Sequence, residues 1–196
     1  MEVLYIGADK DIEPIHYFKE YNNFLFVDSQ PYSEYGSLLS NVTINGHDGF
    51  SRPKFIDKLN IEMNQYNFKL NGLSENLNVY KNNKNNQKIN YYYNISLPLM
   101  NHKIREEIKN IKLIIVKGYD PDCSILRNIN GIDFLGHYET IYHKDDYENK
   151  NSIINQLHIN SHFRSKFKKF YYITKKNELK KFDRWYQFYN YYLIHQ

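Results

Sequence analysis

Gly7 and Asp28 are the pair of residues whose types and spacing could do chemistry. A glycine directly behind an apolar run lets the backbone turn tightly and approach a ligand. An acid about 20 residues further on stands where a ribose hydroxyl can be held, and here the separation is 21 residues. A dinucleotide asks for two more glycines at the turn, so that its pyrophosphate can rest on a helix N-terminus. Asp9 and Asp11 stand there instead. Their carboxylates repel a pyrophosphate, which argues against NAD and FAD and leaves room for a nucleoside carrying cations in place of phosphates.

Strands and a turn must position these groups. Residues 3–7 form an apolar run of strand length, and Ile12 to Tyr21 recurs at helical spacing. Residues 24–28, Phe-Leu-Phe-Val-Asp, make a second buried strand. The unit reads as β-α-β with parallel pairing. Residues 111–117, Ile-Lys-Leu-Ile-Ile-Val-Lys, are another central strand, ended by Gly118. Right-handed connections would bring Gly118 and Asp120 to the same sheet edge as Gly7 and Asp28. The expected fold is a three-layer α/β domain with a mostly parallel central sheet and peripheral β-hairpins.

At this point Val3-Leu-Tyr-Ile-Gly-Ala-Asp-Lys-Asp resembles the first motif of the class I S-adenosylmethionine-dependent methyltransferases, and Phe24-Leu-Phe-Val-Asp28 is similar to the second. The stretch that holds the two motifs, residues 1–28, covers a seventh of the chain. The resemblance implies a Rossmann-like fold, S-adenosylmethionine as cofactor, and a cofactor-binding set of Gly7, Ala8, Asp9, Asp28 and Ser29. Gly7 and Asp9 would lie beneath the amino-acid part and Asp28 on the ribose. Asp9 and Asp11 depart from the family's glycine-rich turn, but a cationic sulfonium and ammonium tolerate acids where a pyrophosphate does not. The turn, Asp28-Ser-Gln-Pro and the later Gly118-Tyr-Asp-Pro also resemble uncharacterised methyltransferase-like viral proteins, those of large DNA viruses. Enzymes of the family that methylate amino groups carry an Asn-Pro-Pro-Tyr type loop after the fourth strand. Asn94-Ile-Ser-Leu-Pro-Leu does not match it, so no catalytic residue and no methyl acceptor are assigned.

The competing expectation is a non-catalytic module that has kept the Rossmann-like frame and lost the cofactor. Its contact surfaces would be the hairpin tip Asn82 to Asn86 and the basic, aromatic segment 166–196. Nucleic acid or a protein partner, a second copy included, would engage Lys168, Lys169, Tyr171, Lys175 and Lys176. Two arrangements of that segment are open. Lysines on one strand face and Phe167, Phe170, Tyr171 and Tyr172 on the other make an ordinary half-buried sheet, whereas both on one face make a stacking platform for bases.

Composition bounds these readings. At 196 residues the chain suits one domain, 1–196, with a full core. Aromatic residues are 17% of the chain, so much of that core must be Tyr and Phe. The net charge of +4 is too small to point to nucleic acid by itself. Cys123, the one cysteine, excludes an internal disulfide and fits a reducing, cytoplasmic setting. Asp120 and Asp122 nearby would hold its thiol protonated. No apolar run is long enough to span a membrane, and the first residues lack the basic-then-apolar pattern of a signal peptide, their apolar run being expected as the first strand. His158 and His162 lie four apart, a spacing that can bind zinc, but without the glutamate of a zincin motif they read as a surface pair, and no metal is expected.

The rest of the chain reads as a short helix after Pro31, a turn at Asn45 to Gly49, and a helix over 51–64 on Phe55, Leu59 and Met63. A strand follows from Asn67, then a hairpin of Leu77–Tyr80 and Lys88–Ile95 with a mobile tip. Helices are predicted at Met100 to Asn110, after Asp120, and over Ser152 to Phe163. A strand is predicted at Asp133 to Tyr142, a polar linker at 144–151, a second hairpin around Lys176-Asn177, and an aromatic helix over Asp183 to Leu193.

Overall fold

Strand β1 (Val3–Ile6) is buried at every residue, as a strand covered on both faces must be. It lies between two parallel neighbours, β2 (Asn23–Val27) and β6 (Leu113–Val116), with Val3 opposite both Phe24 and Leu113. The three runs that the sequence marks as central therefore form one row. The structure is a computed structural model that describes residues 1–8, 11–28, 52–74, 76–93, 107–116, 132–137, 153–174 and 176–195.

The remaining described strands are β3 (Phe68–Leu73), β4 (Leu77–Asn82), β5 (Lys88–Tyr92), β7 (Ile132–His137), β8 (Phe167–Ile173) and β9 (Leu179–Phe182). All nine form a single mixed sheet in the order β3-β4-β5-β2-β1-β6-β7-β8-β9. From β5 to β8 the six strands run parallel, while β3, β4 and β9 join antiparallel at the two ends. The fold is α/β. The first hairpin is not peripheral, because β5 pairs with β2 and extends the parallel row, Asn23 opposite Lys88 and Val27 opposite Tyr92. Its tip is tied down rather than loose. Asn82 Nδ2 donates to Tyr66 O, Asn83 N to Asn67 O and Gln87 Nε2 to Tyr21 O, while the Asn82 and Asn85 side chains each cap an amide two residues on.

Helices cover the sheet. The helix read over 51–64 is α1 (Arg52–Gln65), with Leu59 and Met63 fully buried and Ile61 turned outward. The crossover from β1 to β2 is a five-residue 3-10 helix, Glu13–Tyr17, and not the α-helix that the spacing predicts. Ile15 N bonds Ile12 O, Phe18 N bonds Ile15 O and Tyr21 N bonds Phe18 O. Each link closes three residues back, which advances about 2.0 Å per residue against 1.5 Å in an α-helix. Pro14, near its start, has no amide to lose there. These elements cover one sheet face with Tyr5, Phe24, Phe26, Tyr80 and Tyr91. The other face packs Leu4, Leu25, Ile114, Phe170 and Tyr172 against α2 (Ile153–Ile159) and α4 (Trp185–Ile194). Among the described residues no helix is long and apolar enough to cross a membrane.

The helix read over Ser152 to Phe163 is broken at Asn160 into α2 and α3 (Ser161–Arg164). Arg164 Nη1 donates to the carbonyls of Leu157 and His158, at the end of α2, which places a cation on the negative end of that helix. The guanidinium lies 6.0 Å from the Trp185 ring centroid. The residues read as a helix up to Asn110 end in a second 3-10 turn, Glu107–Asn110. Residues 29–50, 94–106, 117–131 and 138–151 lie outside the described residues, and with them the turn at Asn45 to Gly49, the helix after Asp120 and the linker 144–151.

The second hairpin is present as read. Its turn places Asn177 at φ 58°, a left-handed conformation that asparagine tolerates and branched residues resist. Asn177→Val is expected to cost about 1–2 kcal/mol in a urea unfolding curve and Asn177→Gly nothing. Equal losses for the two variants would contradict this account of the turn.

Candidate functional site

Gly7 follows β1 and Asp28 follows β2, and the register Ile6 opposite Val27 brings them side by side on one edge of the sheet. Gly7 N donates to Val27 O at 2.9 Å, and Asp28 N to Tyr92 O at 2.9 Å, so both sit on the last rungs of the ladder. Gly7 has φ 68°. A side chain there would force the left-handed strain that glycine escapes, so the reversal of the chain after β1 depends on this residue. Asp28 is 8% exposed and Ala8 is buried on the face that holds Tyr5 and Phe26.

The strand order places this edge at a particular point. From β1 the chain passes to β2, then to β3 at the edge of the sheet and back inward through β4 to β5 beside β2, before it crosses to the other side of β1 and builds through β6, β7 and β8. The direction reverses between β1 and β6, and the carboxyl ends of parallel strands open a crevice at such a reversal.

Asp11 settles how the turn treats anions. Its Oδ1 accepts from Glu13 N at 3.0 Å, its Oδ2 accepts from Tyr5 OH at 3.4 Å, and its own amide donates to Ala8 O. The amide at the head of the 3-10 helix is thus already bonded to a carboxylate of the same chain. A phosphate would meet negative charge and an occupied donor. Near the same helix, His16 packs on Tyr66 with centroids 4.5 Å apart, and burial holds its pKa below the usual value. Burial raises the Tyr17 and Tyr66 pKa values above the ordinary tyrosine value, and the carboxylates of Glu13 and Asp11 push the same way.

The structure brings Gly7, Ala8 and Asp28 together. Asp9 and Ser29 lie outside the described residues, as do Ser96, Pro98, Gly118, Asp120 and Cys123. The proposed contact residues Lys168, Lys169, Tyr171 and Lys176 belong to the β8–β9 hairpin, and Lys175 is not described. β8 is three strands from β1, about 14 Å across the sheet. Tyr171 cannot be a contact residue on the surface. It is 8% exposed and its ring meets Phe18 edge-on at 5.4 Å. Phe167, Phe170 and Tyr172 are buried with it, which makes this segment the ordinary half-buried sheet and not a stacking platform.

His158 and His162 sit on different helices, and the His158 ring stacks on Tyr189 at 4.3 Å. No group of three or more His, Cys, Asp or Glu among the described residues could hold a metal ion. Sequence reasoning missed the self-capping role of Asp11. The available signal was its position two residues before Glu13, the spacing of an Asx turn. No family model matches the sequence, no curated protein matches it, and no solved structure matches it.

Proposed function

We propose that the chain is a three-layer Rossmann-like domain that binds S-adenosylmethionine at the carboxyl edge of β1 and β2 and serves as a methyltransferase. The observation that carries the reading is the placement of Gly7 and Asp28 side by side at the strand-order reversal. Asp28 would accept the ribose hydroxyls, and the turn from Gly7 through Asp9 would run beneath the methionine part. The self-capped Asp11 favours a cofactor without phosphate. Methyl transfer needs chiefly in-line placement of an acceptor against the sulfonium, so a conspicuous acid-base pair is not required.

Calorimetry with S-adenosylmethionine and S-adenosylhomocysteine tests this. Binding of both is expected, none of NAD, and at least a tenfold loss for Asp28→Ala in protein whose near-UV spectrum is unchanged. If neither ligand binds at millimolar concentration, or Asp28→Ala binds as well as the parent, the assignment fails. The first crossover favours a second reading, a module without cofactor. Only a five-residue 3-10 helix follows the glycine turn, too short to aim a helix dipole at the edge. That reading expects no cofactor binding and a solution mass above 23.8 kDa or a bound partner.

A further inference from the structure

The five-residue 3-10 helix Glu13–Tyr17 does not hold itself in place. Its N-cap residue Ile12 makes no side-chain capping bond, and so short a helix fixes more dihedrals than its own bonds repay. Its position is therefore set by what it touches. At its start Asp11 Oδ1 accepts from Glu13 N, while Asp11 N donates to Ala8 O and Asp11 Oδ2 accepts from Tyr5 OH, which ties the helix to the turn at Gly7. At its far end two consecutive residues reach the C-terminal hairpin. Tyr17 OH donates to Asn177 O at 2.8 Å, 160 residues away in sequence, and the Phe18 ring meets Tyr171 of β8 edge-on at 5.4 Å.

The strand register puts the turn of that hairpin on the same edge as Gly7. Ile6 lies opposite Val116, Val116 opposite Gly136 and Gly136 opposite Tyr172, so the turn after Ile173 stands level with the turn after Ile6. The two are about 14 Å apart across three strand spacings, and the crossover bridges them. The hairpin turn is built around one residue. Thr174 Oγ1 accepts from Lys176 N at 3.2 Å and from Glu178 N at 3.1 Å, Thr174 N donates to Glu178 O, and Asn177 N donates to Thr174 O. Those bonds fix the left-handed Asn177 and with it the carbonyl that Tyr17 reaches. We propose that the C-terminal hairpin is a strap on the first crossover, and that Tyr17 carries the conformation of the turn after Ile173 to the turn at Gly7. Tyr17 is then a positioning residue, acting through the 3-10 helix. The contact of His16 with Tyr66, at 4.5 Å, belongs to a different element and stays when the Tyr17 hydroxyl is removed. Coupling of this kind is reciprocal, so a ligand at the Gly7 edge steadies the hairpin turn as the hairpin turn steadies the edge. Only that last statement rests on the cofactor reading.

Amide hydrogen exchange, read by NMR on the full chain without ligand, tests the strap. The amides of Ile15 and Phe18 report the crossover and those of Asn177 and Glu178 the hairpin turn, each having a defined bond to break. Amides of β2 are the reference for opening of the sheet, and rates are read against them. Tyr17→Phe removes one hydrogen bond and should speed exchange at all four by about two- to tenfold. Thr174→Val disturbs the hairpin turn alone. It should speed Ile15 and Phe18 by at least about twofold in the parent and leave them unchanged when Tyr17→Phe is already present. Tyr93→Phe, which removes a hydroxyl bonded to Ser74 O, should change none of the four. Far-UV circular dichroism identifies a variant that fails to fold, and Thr174→Ala then replaces Thr174→Val with the same expectation. Hairpin amides that quicken while Ile15 and Phe18 do not, or a Thr174 effect that persists without the Tyr17 hydroxyl, overturn the proposal. With S-adenosylmethionine added, exchange at Asn177 should slow in the parent and not in Tyr17→Phe. Binding without that slowing also overturns the strap, whereas no binding overturns the cofactor reading alone, because the other arms are read without ligand.

Discussion

Phe26→Ala is expected to lower the unfolding free energy by about 3–5 kcal/mol, the range for deleting a fully buried phenyl ring from a core that cannot collapse around the gap. Phe26 is 0% exposed at the centre of β2. Three aromatic rings meet it edge-on: Tyr5 at 4.9 Å, Tyr91 at 5.8 Å and Phe24 at 6.5 Å. Those partners stand on three adjacent parallel strands, so nothing short of moving the sheet refills the space. Domains of this size hold about 5–15 kcal/mol in all, which makes this roughly a fifth of the stability or more. The urea midpoint should fall with the slope unchanged. A loss under 1 kcal/mol would mean that Phe26 is not packed as described.

Alkali should destabilise the protein between about pH 10 and pH 12. Burial pushes the Tyr80 pKa up to about 12 in the folded protein, against an ordinary value near 10. The Tyr80 hydroxyl donates to Asn60 Oδ1 at 2.8 Å and accepts from Asn78 Nδ2 at 3.0 Å. The bond from Asn78 favours the phenolate and offsets part of the shift. The folded value lies above the unfolded one, so the contribution is fully present below pH 10 and is lost as the pH rises through the folded value. Two units correspond to roughly 2–3 kcal/mol for Tyr80. Tyr92 is also raised to about 12, by burial first and then by the charge of Glu107, whose Oε1 accepts from its hydroxyl at 3.3 Å. It is more open to solvent, and water screens part of its share. Stability followed from pH 8 to 12 beside phenolate absorbance checks this. Tyr80→Phe should flatten the fall while losing about 1–2 kcal/mol at neutral pH, because the Asn60 and Asn78 side chains lose their partner. A stability profile flat across the window contradicts the burial of Tyr80.

The strength of these effects comes from a core built on tyrosine. Asn78, at 0% exposed, and Asn90, at 8%, lie in the same strands, each with a side-chain Oδ1 that has no hydrogen-bond partner among the described residues. β5 looks amphipathic on paper, yet Ile89, Asn90 and Tyr91 are buried in succession, so it is covered on both faces, whereas β4 keeps an alternation with Lys81 exposed. This disguised the role of β5. Lys88-Ile-Asn-Tyr-Tyr reads as one arm of an isolated hairpin, because asparagine and two tyrosine hydroxyls interrupt the apolar run that would mark a central strand. The tyrosine hydroxyls of the neighbourhood are satisfied at a distance, Tyr93 by Ser74 O and Tyr92 by Glu107. No local pattern shows such partners.

By itself the sequence determined the elements whose signals are local. The runs at 3–6, 24–27 and 113–116 are apolar without interruption and can only be strands buried on both faces, so their place in one parallel row was legible. The same holds for the turn glycine at position 7, for the acid 21 residues later and for both hairpins, each set by turn residues between alternating strands. Tertiary structure alone decided what depends on partners distant in sequence. It made the first crossover a 3-10 helix, turned Asp11 back on its own helix end, and placed β5 beside β2. It also chose the face for Tyr171. Its burial follows from Phe18, 153 residues earlier in the chain, which arrives over β8 only once the sheet is assembled.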